Sequence, residues 1–388
     1  MQVLCVSLLP AAQAAANGIL TKYICLEKRR NRLKERNSRI YSKKTVLCLS
    51  IILIVLVAVI IWIWRQYGYR DSRYETTGFA MGSFIQQTLY GEGAEDTAGE
   101  AASSITELEN KISWRVEDSD IASINDNAGS EWVEIDPSTT ELLALCLQVA
   151  EDSGGAYDPT ILPISRLWNF DSEDPQVPSP NDLETYLPYI DYTNLRIDKT
   201  QNLASLRNHY MAVDLGSAGK GAACDAAIAV YKESNISCGI IAVGGSVGTY
   251  GQKPDGSLWE IAVRNPYSEE DGETAMGTLS LKGGFLSTSG SYEKTFSQEG
   301  KTYHHLLDPK TGMPVENGLV SVTIVSDSGA LSDILSTACF VLGEEKGMEL
   351  LEQYDAEGIF IRDDRTVRVT SSLKDSFQIV MEEFTYAE

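Results

Sequence analysis

"MAVDLGSAGKGAACDAAIAVYKE", residues 211–233, reads as a strand, a tight glycine turn and then a helix. On that reading three glycines present backbone N–H groups at the positive end of the helix, which makes a phosphate cradle. The turn is not a Walker loop, because Asp214 lies five positions before Gly219 and Gly221 follows Lys220 where Ser or Thr would stand. Nor is it the dinucleotide fingerprint, since the glycines are spaced GxxGxG. A turn that needs glycine for backbone reasons alone fits the residues equally well.

Working outward, strands and helices mix without regular alternation. "GFAMGSFIQQTLYG" (78–91) reads as a strand entered through a Met-Gly turn. Residues 97–112 place Ile105, Leu108 and Ile112 at helical spacing, and 139–152 is helical by pattern. Between them "SWRVEDSDIASIN" (113–125) reads as a polar connection. "GGAYDPTILPISRLWNF" (154–170) reads as a Gly/Pro-rich loop, and "DSEDPQVPSPNDLE" (171–184) as an exposed acidic loop kept irregular by three prolines. Downstream, "CGIIAVGG" is a strand, and "GTYGQKPDGSLWEIAVRN" a hairpin turned at Asp255-Gly256. Further strands and the helices "GALSDILSTACFVLG" and "EEKGMELLEQY" follow. The fold class is α+β, with mixed β-sheets and helices and enough chain for two lobes.

The first 65 residues differ from the rest. Residues 28–44 carry nine Lys/Arg against one Glu, and then 45–64, "TVLCLSIILIVLVAVIIWIW", run for twenty residues without a charge. At 1.5 Å per residue such a helix is about 30 Å long, the thickness of a bilayer core. The apolar run is too long for a signal-peptide core and no small-residue cleavage pattern follows it. The expectation is therefore a basic cytoplasmic segment (1–44), a single-pass transmembrane signal anchor (45–64), a juxtamembrane linker (65–77) and an extracytoplasmic domain (78–385) at the cell membrane. Eleven Lys/Arg and two Glu give +9 over residues 1–65 against −23 for the chain, leaving −32 beyond them. So acidic a domain argues against a nucleic-acid partner. Cys146, Cys224, Cys238 and Cys339 form no zinc pattern; buried thiols are expected, with a bridge allowed in an oxidising compartment.

Chemistry concentrates in a few places. Asp333 and Thr337 in "SDILSTA" (332–338) are i and i+4, so they share a helix face and offer hard oxygen ligands of the kind Mg²⁺ takes. Solvated or capping roles fit that pair equally well when it is taken alone. "GAYDP" sets Asp158 before a proline, "STSGSYEKTF" (287–296) is rich in Ser, Thr and Gly, and "HHLLDPKTGMP" (304–314) ends in a turn.

Together these stretches resemble the ApbE family of flavin transferases. "FAMGS", "GAYDPT", "LW" (167–168), "VDLGSAGKG", "AVGG", "STSGSYE", "HHLLDPKTGMPVENGLVSVTIV" and "DILSTACFVLG" stand in that family's order between about 76 and 380. The resemblance implies an ApbE-like two-lobed domain. It also implies an enzyme that splits FAD at its pyrophosphate, transfers FMN to a Thr or Ser hydroxyl of an extracytoplasmic target protein, and releases AMP. Mg²⁺ would be held by Asp333, Thr337 and the Ser217/Ala218 turn. Met81, Trp114, Ala156, Tyr157, Asp158, Asp214, Lys220 and Leu306 would line the FAD pocket, with the Trp114 indole stacking on a ring of the cofactor. His305 stands at the family histidine, as the base for the acceptor hydroxyl or as a hydrogen-bonding partner of flavin or phosphate; His304 is a bystander. Ser246 and Ser291 stand where the family often has Asp, and Lys220 where some members carry Glu. A metal-dependent FAD pyrophosphatase, a flavin-binding protein without turnover and a membrane-anchored adhesion module are the alternatives.

Overall fold

The computed structural model describes residues 9–39, 43–68, 72–268 and 275–387, and within the first two helices it describes side chains only in part. It divides into two compact units, 1–68 and 69–388. The first unit consists of two helices, Leu9–Arg39 and Lys43–Gly68. In the second of these, the described side chains span only 46–61, all of them exposed. Among the described residues no helix is long and apolar enough to cross a membrane.

The second unit is built on a nine-stranded sheet whose order follows the chain. The strands are β1 (Arg73–Ala80), β2 (Ser83–Gly91), then Ile236–Val243, Ser246–Tyr250, Gly284–Gly290, Leu319–Ser326, Glu357–Arg362, Thr366–Val369 and Thr385–Tyr386. Neighbours are antiparallel except the last pair. One face carries the helices Ala94–Ile112, Gly216–Glu233 and Gly329–Leu342, whose small residues allow close approach. The other face carries a three-stranded sheet formed by Trp259–Arg264, Ala275–Leu281 and Phe377–Ile379. Alternation along Trp259–Arg264 is strict, buried then exposed, as a one-faced strand requires. This arrangement is a mixed α/β fold, in line with the expected class.

Several local expectations are corrected. The stretch read as linker shrinks, because the helix runs to Gly68 and β1 starts at Arg73; residues 69–71 lie outside those described. Residues 113–125 are not simply polar connection: Ser119 accepts from Ala122 N–H and starts the helix Asp120–Asp126, which buries Ile121 and Ile124. Within 154–184 two short helices form, Leu162–Trp168 and Pro180–Tyr186. The second begins with proline at its first turn, where a missing N–H costs nothing, and Ser179 caps it. The two strands flanking Asp255-Gly256 do not pair with each other; Ser246–Tyr250 lies in the large sheet and Trp259–Arg264 in the small one. Finally, 211–215 is no regular strand, touching Ile161 through a single bridge at Ala212, and the helix begins at Gly216, so its glycines lie inside it. Cys146, Cys224, Cys238 and Cys339 are all buried and none forms a disulfide.

Candidate active site

Two helices meet backbone to backbone and create the site. A Cβ on Gly221 would lie 2.0 Å from the Gly329 carbonyl oxygen, and one on Gly329 would lie 2.2 Å from that of Gly221. Only glycine permits this crossing. Asp225, one turn past Gly221, locks it: its carboxylate accepts from Gly329 N–H at 2.7 Å, Ala330 N–H at 2.8 Å and the Ser328 hydroxyl at 3.2 Å. The sequence reading passed over Asp225 although its i+4 spacing from Gly221 puts both on one face.

The crossing presents Asp333 to the start of the helix Gly216–Glu233. Its Oδ2 accepts from Gly221 N–H at 2.9 Å, and its Oδ1 accepts from the Ser246 hydroxyl at 3.3 Å and stands 4.0 Å from Lys220 Nζ. Asp333 is 3% exposed. Burial pushes its carboxyl above the usual range, against the pull of Lys220. Thr337 lies one turn on, its hydroxyl 3.3 Å from that of Ser289. Between helix and sheet lie two hydroxyl clusters, Ser246–Ser287–Ser332 and Ser336–Ser289–Thr337. The helix itself has no side-chain N-cap and no acidic residue in its first turn. The carboxylate that does reach its positive end is that of Asp214, just outside the helix, which takes the Gly216 N–H.

The other expected residues gather round this centre to differing degrees. Met81, at φ 55, and Gly82, at φ 65, form the β1–β2 turn, and Met81 Cε lies where a Cβ on Gly219 would be, 2.8 Å away. A bulky residue in the left-handed region is uncommon, and here it places a thioether over the helix start. Tyr157 donates its hydroxyl to Cys146 Sγ at 3.3 Å and accepts from Ser217 at 3.3 Å. Burial holds that phenol well above its usual pKa. Tyr157, Ala218 and Leu306 share one buried cluster, against which Met81 and Trp114 pack. Ala156 is buried behind the turn at Gly154 and Gly155. Asp214 accepts from Gly216 N–H at 2.8 Å and braces the helix start.

Asp158 has its carboxylate spent on the fold. Oδ1 accepts from Thr160 N–H and hydroxyl at 2.8 and 2.6 Å, and Oδ2 accepts from Tyr192 N–H at 2.9 Å. It shapes the loop that Asp214 joins through Pro159. Trp114 is half-buried, and the guanidinium carbons of Arg115 and Arg166 lie 4.2 and 4.5 Å from its ring centroid. Its indole N–H is buried and has no partner, a donor that a ligand acceptor would satisfy.

The two histidines separate cleanly. His304 bonds Val315 O through Nε2 at 3.0 Å, accepts from Leu306 N–H at Nδ1, and meets Phe340 edge-on at 5.9 Å. Both nitrogens are used in structure. His305 bonds only the Glu293 carbonyl, through Nδ1 at 3.0 Å. A carbonyl can only accept, so the hydrogen sits on Nδ1 and Nε2 keeps a lone pair. Burial, with Lys294 adding, pushes this imidazole down to about 3. Glu293, also unforeseen, has its carboxyl raised by burial and opposed by Lys220, Arg264 and Lys294, and its Oε1 lies 3.7 Å from a Cβ built on Gly245.

The residues fit a hard divalent ion. Among those described, no three His, Cys, Asp or Glu are placed to hold a metal. The buried Asp333 carboxylate, beside hydroxyl and main-chain oxygens, is nevertheless an oxygen donor set of the Mg²⁺ type.

Comparison with known proteins identifies the family. Residues 81–360 match the model of the ApbE family, and the chain belongs to that family. A protein of Treponema pallidum named FAD:protein FMN transferase is 28% identical over 329 residues, 80% of this chain and 90% of that protein. One of Klebsiella pneumoniae with the same name is 30% identical, covering 78% and 93%. The crystal structure of the ApbE protein of Thermotoga maritima superposes with a TM-score of 0.72 at 29% identity, over 79% of this chain and 99% of that one. That of the Pseudomonas stutzeri flavinyl transferase ApbE gives 0.69 at 29% identity, over 79% and 97%.

Proposed function

We propose that this chain is an FAD:protein FMN transferase that attaches FMN to a Thr or Ser hydroxyl of a target protein outside the cytoplasm. The observation that carries the proposal is Asp333, buried, with Lys220 4.0 Å away, and hydrogen-bonded to the first turns of the helix Gly216–Glu233. FAD would lie with its pyrophosphate at that helix start, near Lys220, and with the Trp114 N–H available to an acceptor atom. The target oxygen attacks the phosphorus on the FMN side, the phosphoanhydride bond to AMP breaks, and a phosphoester forms. In that step the hydroxyl proton passes to His305 Nε2. Although the imidazole is a weak base in the free enzyme, the negative charge arriving with the pyrophosphate favours its protonated form. Asp333, Thr337 and the main chain at Ser217 and Ala218 would hold Mg²⁺. When bound, the ion neutralises charge on the pyrophosphate oxygens.

The helix Lys43–Gly68 is read as a single-pass anchor. Its support is the charge-free run 45–64, the basic block before it, and the exposure of apolar side chains such as Ile54 and Leu53, 67% and 62% exposed. A tether of this kind raises the enzyme's effective concentration beside membrane-bound targets.

The test is mass spectrometry of a Thr-containing acceptor domain incubated with the protein, FAD and Mg²⁺, beside Asp333→Ala. A gain of one FMN unit that disappears in the variant is expected. Free FMN and AMP, with the acceptor untouched across several acceptor domains, would replace the transferase by an FAD pyrophosphatase.

A further inference from the structure

Two charged side chains flank the Gly244-Gly245 turn, and one of them has no part in the chemistry above. Gly244 is at φ 55, and a Cβ on it would lie 3.3 Å from Lys220 Cδ, so the lysine stem runs along the turn. A Cβ on Gly245 would lie 3.7 Å from Glu293 Oε1. Glu293 is half-buried, and among the described residues its carboxylate forms no hydrogen bond and no ion pair. Burial raises this carboxyl, and Lys220 leads the cations that oppose the rise, ahead of Arg264 and Lys294. Lys220 itself is loosely held. Its Nζ donates to Gly216 O at 3.4 Å and stands 4.0 Å from Asp333 Oδ1 without a hydrogen bond to it.

Among the described residues, Lys220 is the one ion-pair partner of Asp333, the carboxylate at which the transferase reading places Mg²⁺. An ammonium and a divalent ion repel each other, and beside a carboxylate only 3% exposed water screens little of that repulsion. The main-chain donor on Asp333, Gly221 N–H, is fixed in its helix. Lysine is a compact charge on a flexible four-carbon stem, so it is the partner that can move. The carboxylate left unpaired on the neighbouring residue of the same turn is Glu293. We propose that Lys220 is a built-in rival of the divalent ion at Asp333, and that Glu293 is the positioning residue that receives its ammonium when the ion binds. The inference rests on the transferase reading above, through its Mg²⁺ site. No covalent bond changes; two cations exchange one carboxylate, and the chain's own lysine sets how tightly the ion is held.

The test compares the full chain with Lys220→Met, Lys220→Arg, Glu293→Gln and the Lys220→Met/Glu293→Gln double variant, all without FAD. Mn²⁺ is the probe, its binding read by electron paramagnetic resonance, with Asp333→Ala as the blank for the acidic surface. Melting temperatures are taken in EDTA and in Mn²⁺. Lys220→Met is expected to bind Mn²⁺ about tenfold or more tightly than wild type, the release of a like charge close to the ion. Its melting temperature should rise further on adding Mn²⁺ than that of wild type. Lys220→Arg, which keeps the charge, should not tighten binding. Glu293→Gln should weaken binding several-fold in the wild-type background and leave it unchanged where residue 220 is Met. Lys220→Met binding no more tightly than wild type, with binding still lost in Asp333→Ala, overturns the rivalry. An equal loss from Glu293→Gln in both backgrounds overturns the part given to Glu293, since a distant charge acts the same way with or without the lysine. Mn²⁺ binding that is absent from both wild type and Lys220→Met, or untouched by Asp333→Ala, refutes the metal site of the transferase reading, and this inference with it.

Discussion

Gly221→Ala and Gly219→Ala are the same substitution two positions apart in one helix, and the structure predicts opposite outcomes. In a helix interior, Gly to Ala is worth about 1 kcal/mol of propensity in favour of the variant. At Gly219 the new Cβ meets the flexible end of Met81, 2.8 Å away, and Ile112 Cδ1 at 3.4 Å. Met81 can swing aside, so stability should hold or rise. At Gly221 the Cβ would fall 2.0 Å from Gly329 O and 2.8 Å from Asp333 Cβ. Backbone cannot swing aside, and the two helices must part by more than about 1 Å, an overpacking cost of roughly 1–3 kcal/mol and at the upper end for a backbone clash. That outweighs the propensity gain and leaves Gly221→Ala less stable by about 1–2 kcal/mol. The same displacement carries Asp333 away from the helix start, and a shift of that size costs about a hundredfold in rate. Thermal unfolding and FMN transfer, both with Mg²⁺ present, read the two effects. A Gly221→Ala protein as stable and active as Gly219→Ala would refute the backbone crossing as the device that positions Asp333.

Three further outcomes are expected. Replacing Asp225 by Ala removes the acceptor of two first-turn N–H groups at Gly329 and Ala330, so stability should fall by about 1–2 kcal/mol and activity with it; Asp225→Asn, which keeps an acceptor, should lose less. Met81→Gly should relieve the left-handed strain at φ 55, a gain of roughly 0.5–1 kcal/mol that offsets part of the packing lost with the side chain, so the melting temperature should change little while FAD binding weakens in a fluorescence titration. His305 is held at about 3 when folded against an ordinary 6.5, so between those values the unfolded chain binds the extra proton; stability should drop as pH falls from 6.5 toward 3, and His305→Asn should flatten that limb in pH-dependent melts.

What the residues disclosed and what they hid follow from range. Periodic segments such as Ile105 to Ile112 showed their helix directly, because a buried stripe repeats locally. The glycines of 214–221 announced a special backbone but not its kind: they were read as a turn, yet Gly221 is glycine because Gly329, over a hundred residues away, lies against it. Pro180 looked like a breaker and proved a helix starter, since Ser179 before it supplies the cap. The Asp255-Gly256 turn was legible, but sheet membership of its flanking strands depends on partners elsewhere in the chain. In the site, Asp333 and Thr337 could be paired by spacing. The spent carboxylate of Asp158 and the cation-flanked ring of Trp114 could not, because their partners Tyr192 and Arg166 come from separate segments.

The four cysteines of the catalytic unit give it a property that bears on where it can work. Each thiol is enclosed in the core, and burial pushes Cys146 up to about 12 and holds Cys224 and Cys339 well above the usual thiol range, so these three form almost no reactive thiolate at neutral pH. No disulfide joins these four cysteines, and none of their thiols is exposed to an oxidant. The unit should assemble identically on either side of a membrane, without oxidative folding catalysts, and its melting temperature should be the same in dithiothreitol as in air.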